Sequence, residues 1–114
     1  MYKIIINPKL SESDYVEHCM MWDKLENVFI DTSELKSVND IVYCANLALS
    51  MPHKGFSLAV LEQISEIIDT PMYILEEIIT TGDPGCCESI CMRTDLSYEL
   101  RKICFSLELT HRRF

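Results

Sequence analysis

Glycine is scarce in this chain: only Gly55, Gly82 and Gly85 occur among 114 residues. Three isolated glycines cannot build the glycine-rich loop that cradles nucleotide phosphates, so nucleotide chemistry has no motif here. Long apolar runs are also missing. No stretch of about 18 apolar residues is present to span a bilayer. The opening Met1-Tyr2-Lys3-Ile4-Ile5-Ile6-Asn7-Pro8 is too short an apolar stretch for a secretory signal. The expectation is therefore a cytoplasmic protein without membrane association. Basic residues are absent from Phe56 to Met92, which removes phosphate-neutralising side chains from the middle of the chain.

Charge is instead present with one sign. Residues 1–89 carry fifteen acidic and five basic side chains, whereas residues 90–114 carry five basic and three acidic, and all four arginines (Arg93, Arg101, Arg112, Arg113) lie in that end. An acidic body with a basic tail repels nucleic acid over most of its surface and favours basic protein partners or self-association. With 48% hydrophobic and 25% charged residues the chain has the composition of a globular protein, expected to form a single compact domain over 1–114. Its six cysteines are expected to be reduced thiols, because a chain of this size with a full apolar core does not need staples. Ile, Lys, Asn, Tyr and Phe number 32 against 14 for Ala, Gly, Pro and Arg. That bias is typical of AT-rich coding genomes such as those of phages and large DNA viruses, and it points to a viral protein.

Periodicity and punctuation divide the chain into elements. Tyr2–Asn7 reads as a short strand buried on both faces and stopped by Pro8. Ser11-Glu12-Ser13-Asp14 offers N-caps for a helix over roughly 13–26 carrying Tyr15, Val16, Cys19, Met20, Trp22 and Leu25. Val28-Phe29-Ile30 is a second strand candidate, with a turn at Asp31-Thr32-Ser33. Ser37 opens a helix with Val38, Ile41, Val42, Ala45, Ala48 and Leu49 on one stripe, ended by Pro52. Leu58, Leu61, Ile64, Ile67 and Ile68 define the next helix. Thr70-Pro71 then supplies a capping hydroxyl and a first-turn proline for a helix over Met72–Thr81 that Gly82 stops. Asp83-Pro84-Gly85 reads as a turn, 86–93 is ambiguous between strand and loop, and Asp95 caps a last helix bearing Leu96, Leu100, Ile103, Cys104 and Leu107. The fold class is thus helix-dominated α+β, with about five helices and one or two short strands near the N-terminus. Leu61, Ile64, Ile68 and Ile78 are expected in the core.

Several constellations bear on chemistry. Leu58-Ala59-Val60-Leu61-Glu62-Gln63-Ile64 through Leu75, with its short connection, resembles the last two helices of a phage-repressor-type DNA-binding domain, which implies a helix-turn-helix transcriptional regulator. Residues 33–51 do not carry the preceding DNA-reading pair, and Glu76 and Glu77 occupy the face where such a helix shows Arg or Lys. Cys86, Cys87, Cys91 and Cys104 with His111 offer soft ligands for zinc, without the C-x-x-C spacing of most structural sites, so a zinc-stabilised module is a further alternative. The plainer alternative for each thiol is core packing. His18, His53 and His111 are scattered, and His18 and Cys19 project about 100° apart on a helix. No catalytic motif is legible, and neither an enzyme nor a cofactor is expected.

Glu62, Glu66, Asp69, Glu76, Glu77, Asp83 and Glu88 crowd a stretch with no basic residue. Such a run is either a solvated face or an acidic docking surface. The expected function is a small acidic protein-binding module, an inhibitor or regulator acting on a larger basic or nucleic-acid-handling partner. Glu62, Glu66, Glu76 and Glu77 would be its rim charges and Met72 and Tyr73 its apolar anchors. Arg101, Lys102, Arg112 and Arg113 form the basic tail. That tail would either grip a DNA backbone in the regulator alternative or lie on the Glu-rich surface, of its own chain or of a second copy in a homodimer.

Overall fold

The computed structural model describes the backbone of residues 2–111 and the side chains of residues 2–107. The order is β1 (Tyr2–Ile5), α1 (Glu12–Lys24), β2 (Val28–Asp31), α2 (Val38–Ser50), α3 (Phe56–Glu66), α4 (Met72–Ile79), α5 (Pro84–Cys91) and α6 (Tyr98–His111). β1 and β2 pair in parallel, Tyr2 opposite Val28 and Ile4 opposite Ile30, and a parallel pair requires the crossover that α1 provides. The ladder extends past both ends, with Tyr2 N–H donating to Asn27 O at 3.1 Å and Ile6 N–H to Asp31 O at 2.9 Å. Asn27 turns the chain into β2 at a φ of +56°, which asparagine tolerates better than most residues.

Caps set the helix starts. Ser11 accepts from Asp14 N–H at 3.2 Å and Ser37 accepts from Asp40 N–H at 3.1 Å, each satisfying a donor that a first turn leaves unpaired. α3 is the hub of the packing: Phe56, Ser57, Val60, Leu61, Ile64 and Ser65 are all buried on it. Tyr15 of α1 meets Phe56 edge-on at 5.1 Å, with His18 and Trp22 at 5.6 and 6.5 Å. The Trp22 indole lies against Gly55, where a Cβ would collide with it. α2 brings Ile41, Cys44, Ala45 and Ala48 to the same core, and α4 brings Ile74, Leu75 and Ile78.

The fold class matches the sequence reading, but among the described residues six helices form rather than five. The stretch 86–93, ambiguous in the sequence, is mostly α5, and Asp83-Pro84 is its start rather than a turn. Asp83 caps Cys86 N–H at 3.0 Å, and Pro84 sits in the first turn where its missing N–H is harmless. Asp95 does not cap α6. Ser97 does, accepting from Leu100 N–H at 3.3 Å, while Asp95 takes a fork of two hydrogen bonds from Arg93. Thr70 does not cap α4 either, because its hydroxyl turns back to Ile64 O at 2.7 Å. The strand near the N-terminus is covered on one face only: Ile4 and Ile6 are buried, but Ile5 is 53% exposed, since a two-stranded sheet carries a packed layer on a single side. Ile68 is also misplaced by the sequence reading. α3 ends at Glu66, Ile67 turns extended, and Ile68 is left 78% exposed.

The end of α3 is closed by Arg93. Its guanidinium donates to Ser65 O (2.8 Å), Ile67 O (2.9 Å) and Ile68 O (3.1 Å) as well as to Asp95, and its side chain is only 8% exposed. Arg93→Ala leaves three carbonyls without their donor and should destabilise by roughly 1.5–3 kcal/mol, read by chemical denaturation. The hydrogen bonds from Arg93 hold the Asp95 carboxyl below its ordinary value. That contribution is therefore full at neutral pH and lost as pH falls through the depressed value. Ile64→Ala, at a fully buried site, should cost about 2–5 kcal/mol, whereas Ile68→Ala should stay within about 0.5 kcal/mol of wild type.

Candidate functional site

Apart from Asp69, exposed in the loop between α3 and α4, the acidic residues marked in the sequence divide between two surfaces. Glu62 and Glu66 lie one turn apart on α3, which packs against α5, and the side chain of Glu62 reaches over the first turn of that helix. A Cβ built on Gly85 would stand 3.1 Å from Glu62 Oε2 and 3.3 Å from Asp83 Oδ2. Ser89 Oγ donates to Glu66 Oε1 at 3.4 Å, so Glu66 also faces α5. The sequence reading counted Asp83 and Glu88 in the acidic stretch but did not place them with Glu62 and Glu66 as rim charges. The helix 86–91 had to be recognised before those two carboxylates could be placed beside α3.

Burial, reinforced by the charges of Glu66, Asp83 and Glu88, pushes the Glu62 carboxyl above its ordinary range. The N-terminal end of α5 favours anions but does not reverse that direction. Among the described residues the ion pairs are Lys3 with Asp31 and Arg93 with Asp95, and Asp23 is hydrogen-bonded to His53; none of these neutralises a member of this group.

The second surface is the outer side of α4. Tyr73, Glu76 and Glu77 share it at helical spacing, with Tyr73 54% exposed. Met72 is partly buried against the core instead, so of the two expected anchors only Tyr73 is fully presented. Among the described residues no cation pairs with this face. On α6, Arg101 and Lys102 are exposed; Arg101 reaches Thr94 O at 3.4 Å and Lys102 lies 5.4 Å from the centre of the Tyr98 ring. α6 packs against α5 of its own chain. Arg112 and Arg113, and with them the end of the tail, lie outside the described residues, as does the side chain of His111.

The four cysteines marked as candidate zinc ligands do not gather at one point. Cys86 Sγ donates to Leu58 O (3.5 Å) and Cys87 Sγ to Ile79 O (3.8 Å), and burial with Asp83 nearby pushes both thiols up, so they stay protonated at neutral pH. Cys91 and Cys104 are joined in a disulfide with Cα atoms 5.3 Å apart. This corrects the expectation of six thiols: the α5–α6 turn brings these two helix positions within bonding reach. Among the described residues no group of three or more His, Cys, Asp or Glu is placed to hold a metal.

One constellation was not foreseen. Asp23, His53 and Ser57 converge where α1 meets the start of α3. His53 Nε2 lies 3.1 Å from Asp23 Oδ2, and its Nδ1 accepts from Phe56 N–H at 2.9 Å. Both ring nitrogens are thereby engaged, the second as the cap of α3. Ser57 Oγ is hydrogen-bonded to the Tyr15 hydroxyl, accepts from His53 backbone N–H at 2.8 Å and donates to Met51 O at 3.1 Å. Nucleophilic catalysis needs the imidazole to face the hydroxyl. Here the histidine faces a backbone N–H, and the arrangement closes a helix end.

Compared with family models, with curated proteins and with solved structures, this chain matches none of them. No described helix is long and apolar enough to cross a membrane.

The raised Glu62 has a measurable consequence. Between its ordinary and its raised value the folded state binds more protons than the unfolded state, so stability falls as pH rises through that window. Glu62→Gln should therefore melt higher than wild type at pH 7. The difference should vanish well below the ordinary glutamate range, a comparison that thermal melts at the two pH values make directly.

Proposed function

We propose that this protein is a small, non-enzymatic binding module that docks a basic protein partner on the carboxylate face of α3 and α5. Its rim is Glu62, Glu66, Asp83 and Glu88, and Tyr73, Glu76 and Glu77 of α4 form a second contact strip. The observation that carries this reading is Glu62 itself, a partly buried carboxylate set among three others with no described cation to neutralise it. Such crowding opposes folding, and a positively charged partner relieves it on binding. The partner class that fits is a basic groove of the kind that otherwise holds nucleic-acid phosphates, which makes the module an inhibitor or regulator of a nucleic-acid-handling protein.

The reading is tested by capture from a lysate of the source organism at low salt. The wild type is compared with a variant carrying Glu62→Gln, Glu66→Gln, Asp83→Asn and Glu88→Gln, in which Asn still caps α5. A stoichiometric basic protein should be retained by the wild type, released at about 0.5 M salt, and absent from the variant, whose helicity is checked by circular dichroism. Equal capture by the neutralised variant, or capture indifferent to salt, overturns it.

A further inference from the structure

α6 is attached to the rest of the protein by a narrow seam. Of its described side chains only Leu100 and Cys104 are buried, with Leu107 partly so, while Tyr98, Ile103 and Phe105 are exposed. Leu96, just before the helix, completes a single line of contact. One buried side chain per turn gives a helix little hold. The covalent bond from Cys104 to Cys91, at the end of α5, therefore supplies a large part of the attachment.

That bond is also reachable. An open cleft of about 400 Å³ is lined by Cys91, Arg93, Thr94, Leu96, Arg101 and Cys104, together with Phe105. Cys91 is only partly buried, unlike Cys104. Of the two cations in the lining, Arg93 is saturated by Asp95 and three carbonyls, whereas Arg101 is exposed with a single long hydrogen bond to Thr94 O. A cation beside a disulfide favours the approach of a thiolate and of anionic small thiols. Of the four free cysteines, Cys44, Cys86 and Cys87 are buried, and burial pushes the Cys44 thiol up to about 11; Cys19 is partly buried, and burial with Asp23 nearby pushes its thiol up as well.

We propose that Cys91–Cys104 is a thiol–disulfide exchange site that latches α6 onto α5, opened by small-molecule thiols and closed by the corresponding disulfides. In the opening direction a thiolate attacks Sγ of Cys91, the Sγ–Sγ bond breaks, and Cys104 leaves as a thiolate that takes a proton. A second thiol then displaces Cys91 from the mixed disulfide. The protein gains two electrons and two protons, and the two small thiols leave as one disulfide. Closing is the reverse, with the small disulfide as oxidant. The inference is independent of the acidic face and stands or falls separately from it.

The full chain is equilibrated in reduced or in oxidised glutathione, alkylated after acid quench under denaturing conditions, and weighed intact. The oxidised sample should take four labels and the reduced sample six, matching the four free cysteines and the six in the sequence. Peptide mapping should place the bond at Cys91–Cys104. Hydrogen exchange on the same two samples should show amides of 98–107 exchanging about tenfold faster or more after reduction, with 56–66 unchanged. The C91S/C104S double variant should exchange like the reduced wild type in both buffers. If it does not fold, the wild-type pair alone decides. Six labels in both buffers, four in both, a bond mapped elsewhere, or equal protection of 98–107 in the two states overturns the proposal.

Discussion

The first N–H and last C=O groups of a helix have no partner within it and must be satisfied by other parts of the chain or by water. At both ends of α3, the helix on which most of the core is built, side chains from other segments take that role, and the rest of the structure is arranged around it. At its start, His53 supplies a ring nitrogen to Phe56 N–H, and the Ser57 hydroxyl bridges Tyr15, the His53 backbone and Met51. At its end, Thr70 takes the carbonyl of Ile64 and Arg93 takes those of Ser65, Ile67 and Ile68. The second task suits arginine and not lysine, because a planar fork of five donors can hold several carbonyls and a carboxylate at once, whereas an ammonium is a compact point charge. By this contact Arg93 also fixes the segment after α5 to the end of α3, which keeps the two helices bearing the carboxylate face in register.

The same packing explains why the acidic residues are crowded. α3 and α5 bury Val60, Leu61, Ile64, Cys86, Cys87 and Ile90 between them and their neighbours, so their polar residues share the outer seam. Glu62 and Glu66 then meet Asp83 and Glu88 across it. A lysine at any of these positions would have formed an ordinary surface ion pair, worth little but not unfavourable. The stretch has none from Phe56 to Met92. What holds the anions together is the apolar core beneath them and the N-terminal end of α5, and the repulsion that remains is available to a cationic partner.

The parts of the fold that were legible in the sequence are those set by local rules. Ser11 and Ser37 cap the helices they precede, Pro52 ends α2, and Gly82 takes its left-handed φ of +73° just beyond α4. The period of α2, α3 and α4 placed Ile41, Leu61, Ile64 and Ile78 in the core, where they are. The misreadings have physical causes. Cys86-Cys87-Glu88-Ser89-Ile90-Cys91 has few strong helix formers, and its start signal, aspartate then proline, serves a turn equally well unless the residues after it commit to a helix. Ile68 continued the helical period, but the Thr70 hydroxyl pulls the chain back to Ile64 O and carries Ile68 outside. The roles of Arg93 and of the Cys91–Cys104 pair rest on contacts across tertiary structure, and the candidate site was legible only in part: the run of carboxylates from Glu62 to Glu88 could be read, but not that Asp83 and Glu88 stand beside Glu62 and Glu66 while Glu76 and Glu77 lie on α4.

The charge asymmetry of the sequence also takes a different meaning in three dimensions. Of the basic residues in 90–114, Arg93 is not part of a tail at all; it is internal and its charge is met by Asp95. The exposed basic residues described beyond it are Arg101 and Lys102 on α6, next to the exposed Glu99. That is also where the apolar contact thins to Leu100 and Cys104 and where the disulfide takes over from packing. Yet α6 as a whole is not a cationic helix: Glu99 and Glu108 stand in it beside Arg101 and Lys102, so the two signs cancel over Tyr98–His111. What holds it to α5 is therefore the short apolar line and the covalent bond, neither of which salt screens, rather than an attraction between opposite net charges.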